Sequence, residues 1–422
     1  MKYHLIGDQG VSMRGLAKYL SHLGHTVSGS DLKTGGHSAA NVPFGADVVV
    51  RTSAVSPGSP GWVEVDQAEK QGAKVIKRSK LIGQLTENKR LIAISGMHGK
   101  TTVTSMAGLV LEAAGFDPTV LVGDQVLDFN NDVIRIGQSD WFVLEACEYD
   151  RSFLDFHPEI LILTNIEEEH LDTYPGGLPE IKKAFSTYLE NVSPKGTIIA
   201  CKDDDNVREV IEQSETKAKV IWYGNHTEYD KLDFQLSVPG VHNSLNALAV
   251  KALADCLGID GKIVATALSK FQGAHRRFEL LGNFQGADLI DDYGHHPTEI
   301  KATLAALKER YHDKKRIVVF WPHQYKRILP LLDEFAASFH DADLTILKPI
   351  FFVPGRDEEL PVSSQDLVKK INDRGDRAKF IETDQEIAEF LTKELDKDSV
   401  LLTIGIPPVY KISEILLGGK ND

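Results

Sequence analysis

Short apolar runs of strand length recur along the chain, separated by stretches in which apolar positions return every three or four residues. Residues 3–6, 25–31, 46–55, 73–77, 91–95, 141–146, 160–166, 316–321 and 400–404 read as strands, and a further strand starts at Leu289. Residues 13–23, 103–113, 247–257 and 299–309 carry the helical spacing. Several of the apolar runs show no alternation with polar residues, as expected of strands covered on both faces. Their interleaving with helices predicts an α/β protein with mostly parallel sheets. The pattern pauses near residues 88 and 278, which divides the chain into segments 1–88, 89–278 and 279–422. Each is long enough for a core of its own.

Composition narrows the classes. The chain has 422 residues, 26% of them charged and 42% hydrophobic, an ordinary globular balance. A net charge of −14 argues against a general nucleic-acid binder, which needs a basic footprint. No apolar run approaches the ~18 residues of a membrane span, so no membrane insertion is expected. Cys147, Cys201 and Cys256 show no metal-ligand spacing and read as reduced thiols of a cytoplasmic protein.

The candidate chemistry starts at Gly96-Met97-His98-Gly99-Lys100-Thr101-Thr102, between the strand 91–95 and the helix 103–113. Strand, glycine loop and helix N-terminus make an anion cradle in which backbone N–H groups and the helix dipole face a phosphate. Lys100 would reach the β- and γ-phosphates and Thr101 would offer a hydroxyl to Mg²⁺. Ile94 stands where the eight-residue form of this motif has a glycine. A plain glycine turn with a chance Lys-Thr pair is the alternative, and the flanking strand and helix favour the nucleotide site.

Glu145 closes the apolar run 141–146, and His170 follows the run 160–166 and the acidic stretch Glu167-Glu168-Glu169. In an open parallel sheet such positions line the ligand crevice. Thr101, Glu145 and His170 could therefore share a divalent metal, Mg²⁺ or, given the imidazole, Mn²⁺. A solvated acidic turn is the competing reading. Asn243 and Asn246 lie three apart ahead of the helix 247–257, either presenting amides on one face or, for Asn243, capping the helix. Phe271 to Phe278 forms a basic hinge with Arg276 and Arg277, suited to phosphate oxygens. The first turn, Gly7-Asp8-Gln9-Gly10-Val11-Ser12, is poor in glycine for a dinucleotide fingerprint, and Asp8 would repel phosphate; Asp31, some 20 residues on, sits where such a fold reads a ribose. In the last segment His295, His296, His323, Lys326 and Arg327 collect at two strand ends.

Taken in order, Gly96-Met-His-Gly-Lys-Thr-Thr102, Glu145-Ala-Cys-Glu-Tyr-Asp-Arg-Ser-Phe153, Asn165 with His170-Leu-Asp172, His242-Asn-Ser-Leu-Asn246, Arg276-Arg-Phe-Glu279 and Asp291-Asp-Tyr-Gly-His-His-Pro-Thr-Glu299 resemble the Mur ligases across essentially the whole chain. Asp291 to Pro297 and Pro322-His323 are similar to the branch that adds L-alanine to UDP-N-acetylmuramate. The resemblance implies three domains: a Rossmann-like N-terminal domain for the UDP-sugar, a central P-loop-type ATPase domain with a mostly parallel sheet, and a mobile Rossmann-like C-terminal domain for the amino acid. It implies ATP and Mg²⁺ and an acyl-phosphate intermediate in peptidoglycan precursor synthesis. It places Gly96, His98, Gly99, Lys100, Thr101, Thr102, Asn243, Asn246, Arg277 and Asp292 around ATP, and Thr101, Glu145 and His170 at the metal. Lys100, His170, His295 and Arg327 take the catalytic roles, with His296 also facing the amino acid. A monomer or weak homodimer is expected. Several positions depart from the family pattern: the first loop, Glu169 where Asp is usual, Gln324 where Arg is common, Gly405-Ile-Pro-Pro408, and Phe185 where sister ligases carry a carbamylated lysine. Two alternatives accompany this reading: a ligase attaching a recycled tripeptide to the same UDP-sugar, and a non-catalytic nucleotide-binding homologue.

Overall fold

The computed structural model describes residues 1–353 and 357–419. Among these residues, seventeen strands form three sheets. The first contains β1 (Lys2–Ile6), β2 (Thr26–Ser30), β3 (Val48–Arg51) and β4 (Lys74–Lys77), all parallel, in the order β2-β1-β3-β4. The second contains β5 (Arg90–Ser95), β6 (Thr119–Val126), β7 (Asp132–Arg135), β8 (Trp141–Glu145), β9 (Ile160–Leu163), β10 (Thr197–Cys201) and β11 (Lys219–Tyr223). Its order is β11-β10-β9-β5-β8-β6-β7, and only β6 and β7 run antiparallel. The third contains β12 (Glu279–Phe284), β13 (Ala287–Asp292), β14 (Lys315–Phe320), β15 (Leu344–Leu347), β16 (Ala378–Phe380) and β17 (Ser399–Ile404) in the order β12-β13-β17-β14-β15-β16, with β12 and β13 as an antiparallel hairpin.

The chain divides into two compact units, residues 1–237 with 245–274, and residues 238–244 with 275–422. The first unit holds the first two sheets, which share apolar residues such as Leu16, Leu20, Leu91, Leu121 and Phe142 in one core. The helix Val11–His22 approaches β6 so closely that a Cβ on Gly15 would lie 2.6 Å from Leu121, which is why a glycine interrupts its apolar face. Lys77 pairs with Asp150 at 2.6 Å, and Ser79 donates to Asp155 at 2.6 Å, fastening the end of the first sheet to the segment after β8. In the second unit, Ile290, Val318, Phe320, Phe335, Phe339 and Leu402 pack one face of the third sheet against its helices.

Two local expectations change. The helix expected from residue 247 starts six residues earlier, as Val241–Cys256, because Gly240 takes the left-handed turn (φ +100°) that lets the chain enter it there. Asn243 therefore lies inside the first turn and is not its cap; its Nδ2 donates to the carbonyl of Pro239 at 2.7 Å. The second strand stops at Ser30, and the carboxylate of Asp31 accepts the backbone N–H of Lys33 at 2.9 Å, capping the short turn Leu32–Thr34.

Candidate active site

β5 lies between β8 and β9, so chain connections leave it in opposite directions, and a crevice opens outside the carboxyl ends of these three strands. The loop after β5 is shaped by two glycines with positive φ, Gly96 (+132°) and Gly99 (+81°). A side chain at Gly96 would run into Thr164, and one at Gly99 would lie 2.7 Å from Asn246 Oδ1. Residues just after β9 hold the loop: Met97 N–H donates to the Asn165 carbonyl at 3.1 Å and His98 N–H to Asn165 Oδ1 at 2.8 Å. Asn165 Nδ2 and Thr164 Oγ1 return bonds to the His98 carbonyl at 3.0 and 2.7 Å. The helix Lys100–Ala113 then begins with Gly99 as its N-cap, a residue with no side chain to offer the first-turn N–H groups of Lys100, Thr101 and Thr102.

Two charged groupings surround this helix start. Thr101 Oγ1 donates to Glu145 Oε1 at 3.1 Å, and the other oxygen of Glu145 accepts Gly123 N–H at 2.7 Å. Lys100 Nζ donates to the carbonyls of Gly96 and Met97 at 2.5 and 2.9 Å and pairs with Glu148 Oε2 at 2.8 Å. The other oxygen of Glu148 meets His170 Nε2 at 3.1 Å. Burial disfavours charge on all three, but mutual attraction wins. The Glu148 carboxylate raises the pKa of Lys100, Lys100 and His170 lower that of Glu148, and the bond to Glu148 raises that of His170. His170 is held in a left-handed backbone conformation (φ +55°), with its carbonyl accepting Thr173 and Tyr174 N–H at 2.8 and 2.9 Å. Between the two acids, burial and the charge of Glu148 push the Cys147 thiol up to about 12, so it stays protonated.

The structure thus brings Lys100, Thr101, Glu145 and His170 to one crevice, and adds Glu148, which links Lys100 to His170. Glu148 is not among the residues expected from the sequence, although it stands in the motif that begins at Glu145; a second carboxylate three residues after a strand-end acid was the available signal. The first loop also has a cation that spacing did not indicate. Arg78, the first residue of the helix Arg78–Thr86, donates to Ser12 Oγ, and burial lowers its pKa against the pull of Cys147, Glu145 and Asp150.

In the second unit the arginine pair divides its labour. Arg276 is buried, and its Nε bonds Asp291 at 2.7 Å while its terminal nitrogens donate to the carbonyls of Ile406 (2.7 Å), Gly405 (2.5 Å) and Pro407 (3.2 Å). It clamps the turn after β17 and is not the phosphate ligand a basic hinge suggested. Arg277 lies over the ring of Tyr293, 4.9 Å from its centre. Asp292 accepts Phe278 N–H (2.9 Å), Gly294 N–H (2.8 Å) and Thr303 Oγ1 (3.3 Å), fixing the loop 293–296. His295 Nδ1 bonds the Tyr293 carbonyl at 3.1 Å. His296 Nδ1 accepts Thr298 N–H at 3.4 Å and caps the helix Pro297–Arg310, and Glu299 completes a capping box. After β14, Arg327 meets His323 Nδ1 at 3.0 Å, His323 stacks on Phe351, and Gln324 takes a left-handed φ of +66°.

Three family profiles match successive parts of the chain: "Mur ligase family, catalytic domain" over residues 2–90, "Mur ligase middle domain" over 94–232, and "Mur ligase, glutamate ligase domain" over 276–406. The chain belongs to the Mur ligase family. Curated relatives named UDP-N-acetylmuramate–L-alanine ligase, from Caldanaerobacter subterraneus and Alkaliphilus metalliredigens, are each 37% identical over 99% of this chain and 97% of their own. Among solved structures, a UDP-N-acetylmuramate–alanine ligase from Thermotoga maritima is similar with a TM-score of 0.81 and 26% identity, covering 99% of this chain and 98% of that one. A murein peptide ligase from Psychrobacter arcticus shares the fold at a TM-score of 0.71 and 23% identity. The three sheets of this Mur ligase accordingly follow the three-domain architecture of the family.

Proposed function

We propose that this Mur ligase joins L-alanine to UDP-N-acetylmuramate at the expense of ATP, with the segments 1–88, 89–278 and 279–422 serving the UDP-sugar, ATP and the amino acid in turn. The observation that carries the ATP assignment is the uncapped helix start at Lys100, reached through two glycines and flanked by Glu145, Glu148 and His170. A carboxylate is a poor electrophile, so it is first converted to an acyl phosphate, which the amine of the amino acid attacks with loss of phosphate. The N–H groups of residues 100–102 and the Lys100 ammonium would hold the transferring phosphoryl group and spread its charge. Lys100 would leave its loop carbonyls and share Glu148 to do so. The oxygens of Thr101, Glu145 and Glu148 with the His170 imidazole are a donor set suited to Mg²⁺, or to Mn²⁺ through the imidazole. Such an ion, when bound, neutralises phosphate charge. Arg277 and Asp292 are assigned to ATP from the second unit, Asn243 and Asn246 to its adenine, and His295 and Arg327 to the amino acid and the reacting centre.

A phosphate-release assay with UDP-N-acetylmuramate, ATP and a panel of amino acids tests this reading. Release that depends on L-alanine, with the alanyl product formed in equal amount, supports it. Release with a tripeptide and none with L-alanine would overturn the acceptor, and no release with any acceptor would overturn the enzymatic role.

A further inference from the structure

The first sheet contains a buried carboxylate that the nucleotide site does not use. Glu64 lies in the first turn of the helix Trp62–Lys70 with no solvent exposure. Its two oxygens face different parts of the fold. Oε2 accepts His4 Nε2 from β1 at 2.9 Å and Ser30 Oγ from the end of β2 at 2.6 Å. Oε1 accepts three donors from the loop that follows β2: His37 Nδ1 at 2.9 Å, Ser38 N–H at 3.3 Å and Asn41 Nδ2 at 3.0 Å. Burial alone would raise the pKa of this carboxyl, yet the bonds from His4, Ser30, Asn41 and His37 hold it down at about 2.

The position of these bonds gives them a consequence. β1 lies between β2 and β3, so the crevice of this sheet opens outside the carboxyl ends of β1 and its neighbours. The first loop starts there, and its Gly7 and Asp8 N–H groups both donate to the Ser30 carbonyl at 2.7 and 3.1 Å. Glu64 thus holds Ser30 through its hydroxyl while Ser30 holds the first loop through its carbonyl. The same carboxylate staples the loop 31–41, whose Gly35 and Gly36 have no neighbour within 4 Å of a built Cβ. Both loops that border the crevice are referenced to one buried group.

We infer that Glu64 is a positioning residue for the UDP-sugar, setting the loops at residues 7–10 and 31–41 without touching the ligand. The inference rests on the proposed function, because it takes this crevice as the UDP-sugar site. Calorimetric titration of UDP-N-acetylmuramate and steady-state kinetics on the full chain test it with wild type, Glu64→Gln and the loop-side variant His37→Ala/Asn41→Ala. Loss of charge-assisted bonds in Glu64→Gln should weaken UDP-N-acetylmuramate binding and raise its KM about tenfold. The kcat and the KM for ATP should move by no more than about twofold, a split that general loosening of the fold would not produce. The loop-side variant should shift the same constant by about threefold. Unchanged UDP-N-acetylmuramate binding in a folded Glu64→Gln protein would overturn the inference, as would a fall in kcat with every KM intact. Should Glu64→Gln fail to fold, the loop-side variant decides, and an unchanged KM there overturns it. Absence of binding by wild type would instead remove the proposed function on which the inference rests.

Discussion

The chain builds the same local form twice, a parallel strand, a glycine turn and a helix, and equips the two copies in opposite ways. After β5 the turn presents Gly99, Lys100 and Thr101, with the helix start open and a buried Glu148 holding the ammonium in place. After β1 the turn presents Asp8 and Gln9, which bond each other at 3.1 Å, and Arg78, from another helix, bonds Ser12. A Cβ at Gly29 would overlap Asp8, so β2 makes room for the acid. Both helix starts, after Gly10 and after Gly99, lack a side-chain cap, so the difference between the two turns lies in the charge beside them. The first loop is therefore expected to bind its ligand more weakly per phosphate and to depend on borrowed charge.

The contrast breaks most sharply at Lys100. Lys100→Ala should lower turnover about a thousandfold with the fold retained, since the ammonium removed is the one proposed to hold the phosphate that carries developing charge. Turnover within tenfold of wild type in a folded variant would remove the site.

Glu148→Gln should cost about a hundredfold in kcat and also change the pH response, because Glu148 raises the pKa of His170 while Lys100 and His170 lower that of Glu148. The protonated His170–Glu148 pair stabilises the fold fully below the unfolded histidine value, near 6.5, and this contribution is lost as pH rises through the higher folded value. The carboxylate's own contribution is present above about 4.5 and is lost as pH falls through its depressed value. Denaturant unfolding at several pH values should show the stability gap between wild type and variant closing at low pH and narrowing as His170 deprotonates, with the Lys100–Glu148 pair keeping the remainder, and NMR should show His170 titrating lower in the variant.

On the other loop, Arg78→Ala should raise the KM for UDP-N-acetylmuramate about tenfold while leaving that for ATP within about twofold. The smallest effects are expected at the amino-acid end. Arg327→Ala should raise the KM for L-alanine about fivefold, and Gln324→Arg should lower it about threefold by adding a second cation for the substrate carboxylate. An unchanged constant in Gln324→Arg would exclude that position from amino-acid binding.

Local features were legible in the sequence and distant pairings were not. The strand, loop and helix at residues 90–113 could be read because glycine, Lys-Thr and apolar spacing all act within a few residues. Glu145 could be placed because a parallel strand delivers its last residue to the crevice. Glu148 could not, since its partners Lys100 and His170 come from two other strand ends. Glu64 gathers donors from 23 to 60 residues away, and in the sequence it is one more acid on an amphipathic helix. Arg276 misled for the opposite reason. Its chemistry suits ligands, and the fold spends it on Asp291 and three carbonyls.

The division of labour between the two glycine turns is open to a crossed titration. ATP and UDP-N-acetylmuramate would each be titrated into Lys100→Ala and Arg78→Ala by calorimetry. Lys100→Ala should lose ATP affinity at least about tenfold and keep UDP-N-acetylmuramate, with the reverse for Arg78→Ala. If both variants lose the two ligands equally, or if Lys100→Ala binds ATP like wild type, the claim is contradicted.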